Sequence, residues 1–149
     1  IVVPTITFSD SWEIDGVQFT NHGGHSDCSS TVYVPEDRTL FAGDLLFVGM
    51  FPWAGDPTAN PDHWIDAFQD MLKMDIETII PGHGPLCDLD EVERQLSWMK
   101  EVRWVMQGLI QDGETEDVIA SYNYRVLYPT DHPEWQKKSY ARWYNVWKP

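Results

Sequence analysis

The hydrophobic period changes partway along the chain, and this constrains the fold more than any other feature. Up to about residue 48 the apolar residues come in short β-branched and aromatic runs. Thr5–Phe8 and Val17–Thr20 lie on either side of an Asp15-Gly16 turn signal, and Thr31–Val34 leads through Pro35-Glu36-Asp37-Arg38 into Thr39–Ala42, the pattern of a hairpin. Leu45–Val48 continues the apolar run, and the Pro-, Gly-, Asp- and Asn-rich stretch Pro52–Pro61 reads as a loop.

Helical spacing then takes over. Asn60 is placed to cap a helix with Pro61 at its first position, and Trp64, Phe68 and Met71/Leu72 repeat on one face. A short strand over Glu77–Pro81 follows. Asp88 opens a long helix, with Glu91 in the capping-box position and a stripe of Val92, Leu96, Met99, Met106 and Ile110, until Gly113 stops it. Shorter helices fit Thr115–Tyr122 and Pro133–Trp147. Strands, helix, strand, helices is the order of an α/β layered piece, without an inter-domain linker or an internal repeat.

Composition narrows the function classes. Of 149 residues, 42% are apolar, with eight Trp, six Tyr and six Phe, which is incompatible with a disordered chain. The net charge of −14, from 24 acidic and 10 basic residues, repels a phosphate backbone and excludes nucleic acid as the expected partner. No apolar run reaches the ~18 residues of a membrane span. Two cysteines make no disulfide framework, so a cytoplasmic, reduced protein is expected.

Three segments place a metal-ligand side chain at a predicted strand end: His22-Gly23-Gly24-His25-Ser26-Asp27, Phe41-Ala42-Gly43-Asp44-Leu45-Leu46 and Pro81-Gly82-His83-Gly84-Pro85. Strand ends on a rigid sheet are where binding residues gather. Flanking glycines let the backbone turn sharply and a ligand come close. Imidazole with carboxylate suits zinc, iron or manganese. Singly, each segment also fits an ordinary loop histidine or a Gly-Asp turn; their order and spacing set them apart.

Together, Gly24-His25-Ser26-Asp27, Thr31 through Phe47, and Ile79-Ile80-Pro81-Gly82-His83-Gly84-Pro85 resemble the later motifs of the metallo-β-lactamase superfamily. The resemblance is close from about Trp12 to Leu89 and looser along the helical tail to Trp147. It implies the C-terminal half of an αββα sandwich over residues 1–112, with a helical tail, 113–149, packed on the same domain. It also implies two metals about 3.5 Å apart, zinc first, with iron and manganese as alternatives, and a metal-bound hydroxide. That hydroxide would attack an ester, lactone, thioester, amide or phosphoester of a small-molecule substrate. His25 would be the third histidine of the first metal, Asp44 the bridging carboxylate and catalytic residue, and His83 the last histidine of the second metal.

The family's His-x-His-x-Asp-His segment is missing. The histidines are His22, His25, His63, His83 and His132, and no two are spaced one apart. Three ligands cannot hold two metals, so this chain alone is expected to be inactive, with partial metal or none. A longer natural protein, of which this is the C-terminal piece, accounts for that and for Ile1 in the place of Met; a complete, degenerate member that binds without turnover is the alternative. Half a sandwich would leave several hundred Å² of apolar sheet face open, for the missing half or a second copy to cover.

Other residues carry weaker signals. Cys28 and Cys87 follow His25 and His83 closely enough to suggest a His₂Cys₂ structural zinc site, but that leaves Asp44 without a role. His22 reads as a partly exposed loop residue or an orienting neighbour of the site, His63 as solvated, and His132 as part of a helix start. Met50-Phe51-Pro52-Trp53 reads either as a substrate-contacting loop or as packing against the last helix. The tail aromatics Trp135, Tyr140, Trp143, Tyr144 and Trp147 read as core or interface.

Overall fold

The computed structural model describes residues 2–149. Five strands form one sheet in the order β1 (Ser11–Ile14), β2 (Val17–Asn21), β3 (Ser30–Val34), β4 (Thr39–Phe47) and β5 (Thr78–His83). The first four make an antiparallel meander, and β5 joins β4 in parallel after a helical crossover. The fold is mixed α/β.

Local signals explain most of the elements. Asp15 and Gly16, both at positive φ (50° and 78°), make the two-residue turn that pairs β1 with β2. This hairpin displaces the expected strand at Thr5–Phe8, which forms none. Once β1 is tethered two residues from β2, it takes that edge, and the earlier run is left outside the sheet. Pro35–Asp37 is a 3-10 turn ended by Arg38 in the left-handed region, and it returns the chain into β4.

Helix α1 (Pro61–Met71) is capped by Asn60, whose side chain accepts from the Asp62 and His63 backbone N–H groups. In α2 (Leu89–Gln111), the Asp88 carboxylate caps the Asp90 N–H. The capping box expected at Glu91 does not form. Glu91 is buried and turned inward, where Tyr128, Gln95 and Arg94 donate to its carboxylate. A buried carboxylate needs several donors, and these satisfy it better than one N–H at a helix end. Gly113, at φ 80°, stops α2; α3 (Glu116–Ala120) and α4 (Pro133–Trp147) follow.

The core lies between one sheet face and the helices, with Leu40, Ala42 and Ile79 meeting Trp64, Phe68, Val92 and Met99. The other sheet face carries a continuous apolar row: Trp12 opposite Phe19, Phe19 opposite Val32, Val32 opposite Phe41, and Phe41 beside Ile80. Cross-strand partners share a face, and none of these five belongs to the core. Phe41 is 43% exposed. Among the described residues, no helix is long and apolar enough to cross a membrane.

Candidate metal centre

Backbone geometry brings His25, Asp44 and His83 to one end of the sheet. His25 follows two glycines at positive φ, Gly23 (69°) and Gly24 (103°). A Cβ on Gly24 would lie 2.9 Å from Leu45 Cδ2 and 3.1 Å from Trp64 Cα, so only glycine lets this turn press against β4 and α1. The Gly24 carbonyl accepts from the N–H of Asn60, tying the turn to the cap of α1.

Asp44 sits where the β4–β5 register shifts, between the Gly43–Pro81 and Phe47–His83 pairs. Such irregularities re-aim a side chain, and here the carboxylate turns toward both histidines. Its Oδ2 lies 3.7 Å from His25 Nε2 and its Oδ1 lies 3.3 Å from His83 Nε2. Gly82 makes room for it: a Cβ there would lie 2.6 Å from the Gly43 carbonyl carbon, and closer still to Asp44 Oδ1.

Each ring is held from behind. A carbonyl only accepts, so His25 Nδ1–H donates to the Trp53 carbonyl at 2.9 Å, which puts Nε2 on the side of Asp44. Phe47, Trp53 and Trp64 surround the His25 ring at 5.6–5.7 Å. His83 stacks on Phe47 with centroids 4.7 Å apart and an 11° tilt. Below it, the Phe47 carbonyl accepts from Gln95 Nε2 in the buried Glu91 network.

Exposure differs among the three. The His25 side chain is 14% exposed, but Asp44 (47%) and His83 (44%) face outward. Among the described residues, no three His, Cys, Asp or Glu side chains converge closely enough to hold an ion by themselves. The donor chemistry therefore fits a share of a centre: two imidazoles presenting Nε2 to the two oxygens of one carboxylate, with an open side.

Outside this cluster, His22 is half buried with Nε2 2.9 Å from Thr31 Oγ1, and burial lowers its pKa against the opposing pull of Asp70. His63 is exposed in the first turn of α1. Cys28 is exposed and Cys87 partly buried, and neither is in a disulfide. Burial pushes the Cys87 thiol up to about 11, which makes it a poor source of thiolate.

The cluster opens into a cavity of about 790 Å³. The loop after β4 both lines it and packs on α4: Phe51 is buried against Trp98 and Tyr140, whereas Met50 and Trp53 face the cavity. Tyr140 and Trp143 are core, but Trp135 is at the cavity, with His132 stacked on it at 4.3 Å. Sequence reasoning does not assign the α4 residues Trp135, Lys138 and Ser139 to this region. Their i, i+3, i+4 spacing, one face of a helix, is the available signal. Buried Ser139 accepts from the Ala54 N–H at 2.9 Å and so pins the residue next to Trp53.

The sequence matches the family model described as metallo-beta-lactamase superfamily over residues 1–83. Among solved structures, the chain is similar to a metallo-beta-lactamase family protein of Thermus thermophilus, TTHA1429, at 15% identity and a TM-score of 0.64, over 94% of this chain and 48% of that one. It is similar to VMB-1 at 23% identity and TM-score 0.56, over 65% and 47%. A third is TTHA1623 in a di-iron-bound form, at 30% identity and TM-score 0.55, over 62% and 48%. The chain spans about half the length of these structures. No curated protein matches it.

Proposed function

The chain belongs to the metallo-beta-lactamase superfamily, and from that premise we propose that it is the C-terminal part of a metal-dependent hydrolase, contributing His25, Asp44 and His83 to a two-metal centre. One observation carries this reading: each carboxylate oxygen of Asp44 faces the Nε2 of a different histidine. A carboxylate bridging two ions needs that arrangement, whereas a structural ion pair needs one partner.

In this reading His25 serves one ion, His83 the other, and Asp44 both. Bound zinc would supply Lewis acidity toward an ester, lactone, thioester, amide or phosphoester and lower the pKa of a bound water toward 7. Iron and manganese suit the same nitrogen and oxygen donors, and one solved relative is a di-iron-bound form. The protein's own part is positioning. Trp53 orients the His25 ring and Phe47 holds the His83 ring flat.

The remaining ligands and the cover for the Trp12–Phe19–Val32–Phe41–Ile80 face would come from residues outside these 149. Tests are the mass of the natural gene product and its metal content beside that of this chain. The reading expects about two ions per longer chain and far fewer here. Equal metal content in both, or a gene product ending at this chain with full hydrolytic activity, contradicts the shared-centre argument. The alternative, a non-catalytic binding protein, expects Asp44→Asn to leave the function of the natural product unchanged.

A further inference from the structure

A buried carboxylate lies under the His25–Asp44–His83 cluster without belonging to it. Glu91 (5% exposed) and Gln95 (1%) stand one turn apart on the buried face of α2, beyond the residues that match the family model. Apolar side chains of similar size commonly stabilise a core as well as a buried ion pair does. Gln95 Oε1 also has no hydrogen-bond partner among the described residues, which costs stability. Core packing therefore gives no reason for these two residues, whereas the groups they hold do.

Glu91 sets the direction of the Gln95 amide. Gln95 Nε2 donates to Glu91 Oε1 and to the Phe47 carbonyl, each at 2.6 Å. Turned over, the amide would set its oxygen against two acceptors, so the carboxylate decides which end of Gln95 faces β4. Tyr128 and Arg94 also donate to that carboxylate and hold it in place.

One peptide unit carries this constraint to His83. The Phe47 carbonyl and the Val48 N–H belong to the same plane, and that N–H donates to the His83 carbonyl at 2.9 Å. The Phe47 ring lies flat on the His83 ring. Where His25 has the Trp53 carbonyl behind it, His83 has this peptide and this ring. Hydrogen bonds in such a chain polarise one another, so the carboxylate strengthens the links that follow it.

We propose that Gln95, aimed by Glu91, is a positioning residue for His83: it fixes the Phe47–Val48 peptide and, through it, the place of the imidazole beside Asp44. This rests on the reading of His83 as a metal ligand. Neither Glu91 nor Gln95 lines the cavity, so neither touches substrate.

The first measurement needs no metal. In the full chain with a chelator present, NMR follows the His83 ring protons, the His25 Nδ1 proton and the coupling across the bond from Val48 N–H to the His83 carbonyl. Gln95→Leu removes the bond to Phe47. Glu91→Gln combined with Gln95→Glu keeps the size, charge and mutual hydrogen bond of the pair but turns an acceptor toward the Phe47 carbonyl. Both should weaken the coupling and move the His83 ring protons off their stacked positions, with the exchange rate of the His25 Nδ1 proton unchanged. Val102→Ala, a packing defect further along α2, should lower Tm without moving His83. The proposal is overturned if the His83 signals stay put in Gln95→Leu or in the exchanged pair, if they move equally in Val102→Ala, or if the His25 proton loosens alongside them. Failure of the hydrolase reading shows separately. In the longer natural protein, Gln95→Leu should lower zinc affinity by about 10–100-fold. A displaced His83 with unchanged zinc affinity contradicts His83 as a ligand and leaves its placement by Gln95 standing.

Discussion

Replacing Gly82 with alanine asks whether the Asp44 cluster depends on the close approach of β4 and β5. The added Cβ would meet the Gly43 carbonyl carbon at 2.6 Å and its oxygen at 2.7 Å, where ordinary contact begins at 3.4 Å. Backbone atoms cannot rotate away, so the strands must part by roughly 0.7 Å, and Asp44 Oδ1, closer still, must swing off His83. Overpacking of this kind costs about 1–3 kcal/mol, and at this chain length each kcal/mol lowers Tm by about 2–4 °C. Metal ligands tolerate displacements of only about 0.2 Å, so the zinc affinity of the longer natural protein should fall by about 10–100-fold, the scale seen when ligand orientation is lost. The control is Gly108→Ala, on α2 where a Cβ meets nothing within 4 Å; it should stabilise by about 0.5–1 kcal/mol. Thermal melts and zinc calorimetry read both. A Gly82→Ala chain with unchanged Tm and unchanged zinc affinity refutes the steric argument.

Two further outcomes follow from the surroundings of the site. Ser139→Ala should leave the buried Ala54 N–H without an acceptor, costing about 1–3 kcal/mol in denaturant unfolding and speeding exchange of the His25 Nδ1 proton; unchanged exchange would uncouple α4 from His25. His22 is held neutral by burial, its pKa below the ordinary value, so it contributes stability above its unfolded pKa of about 6.5 that is lost as pH falls through the lowered folded value. Urea midpoints between about pH 5 and 7 should therefore fall less steeply for His22→Gln than for the parent; parallel slopes would refute this.

How much was legible in the sequence depended on whether the signal was local. Asp15-Gly16, Asn60-Pro61, Gly113 and Pro133 act within a few residues of themselves, and each marks an observed turn or helix end. Thr5–Phe8 has strand-like residues, but the edge of β2 is occupied by β1, which the Asp15-Gly16 turn tethers beside it. Glu91 shows the same limit. Its spacing from Asp88 fits a cap, but Tyr128, 37 residues later, recruits it into the interior. The three ligand-type residues were readable because each sits in a glycine-marked motif. The α4 wall was not, because Trp135 and Lys138 reach the cavity only through the packing of Ser139 and Tyr140 on the loop after β4.

The most direct test of the account follows the imidazole nitrogens of these five histidines, within the longer natural protein, by long-range proton–nitrogen NMR during a zinc titration. The account predicts that His25 and His83 shift together at Nε2, that His22, His63 and His132 stay put, and that Asp44→Asn abolishes the paired response. Shifts at His25 or His83 that persist in Asp44→Asn, or that need Cys28 and Cys87, would contradict a centre bridged by Asp44.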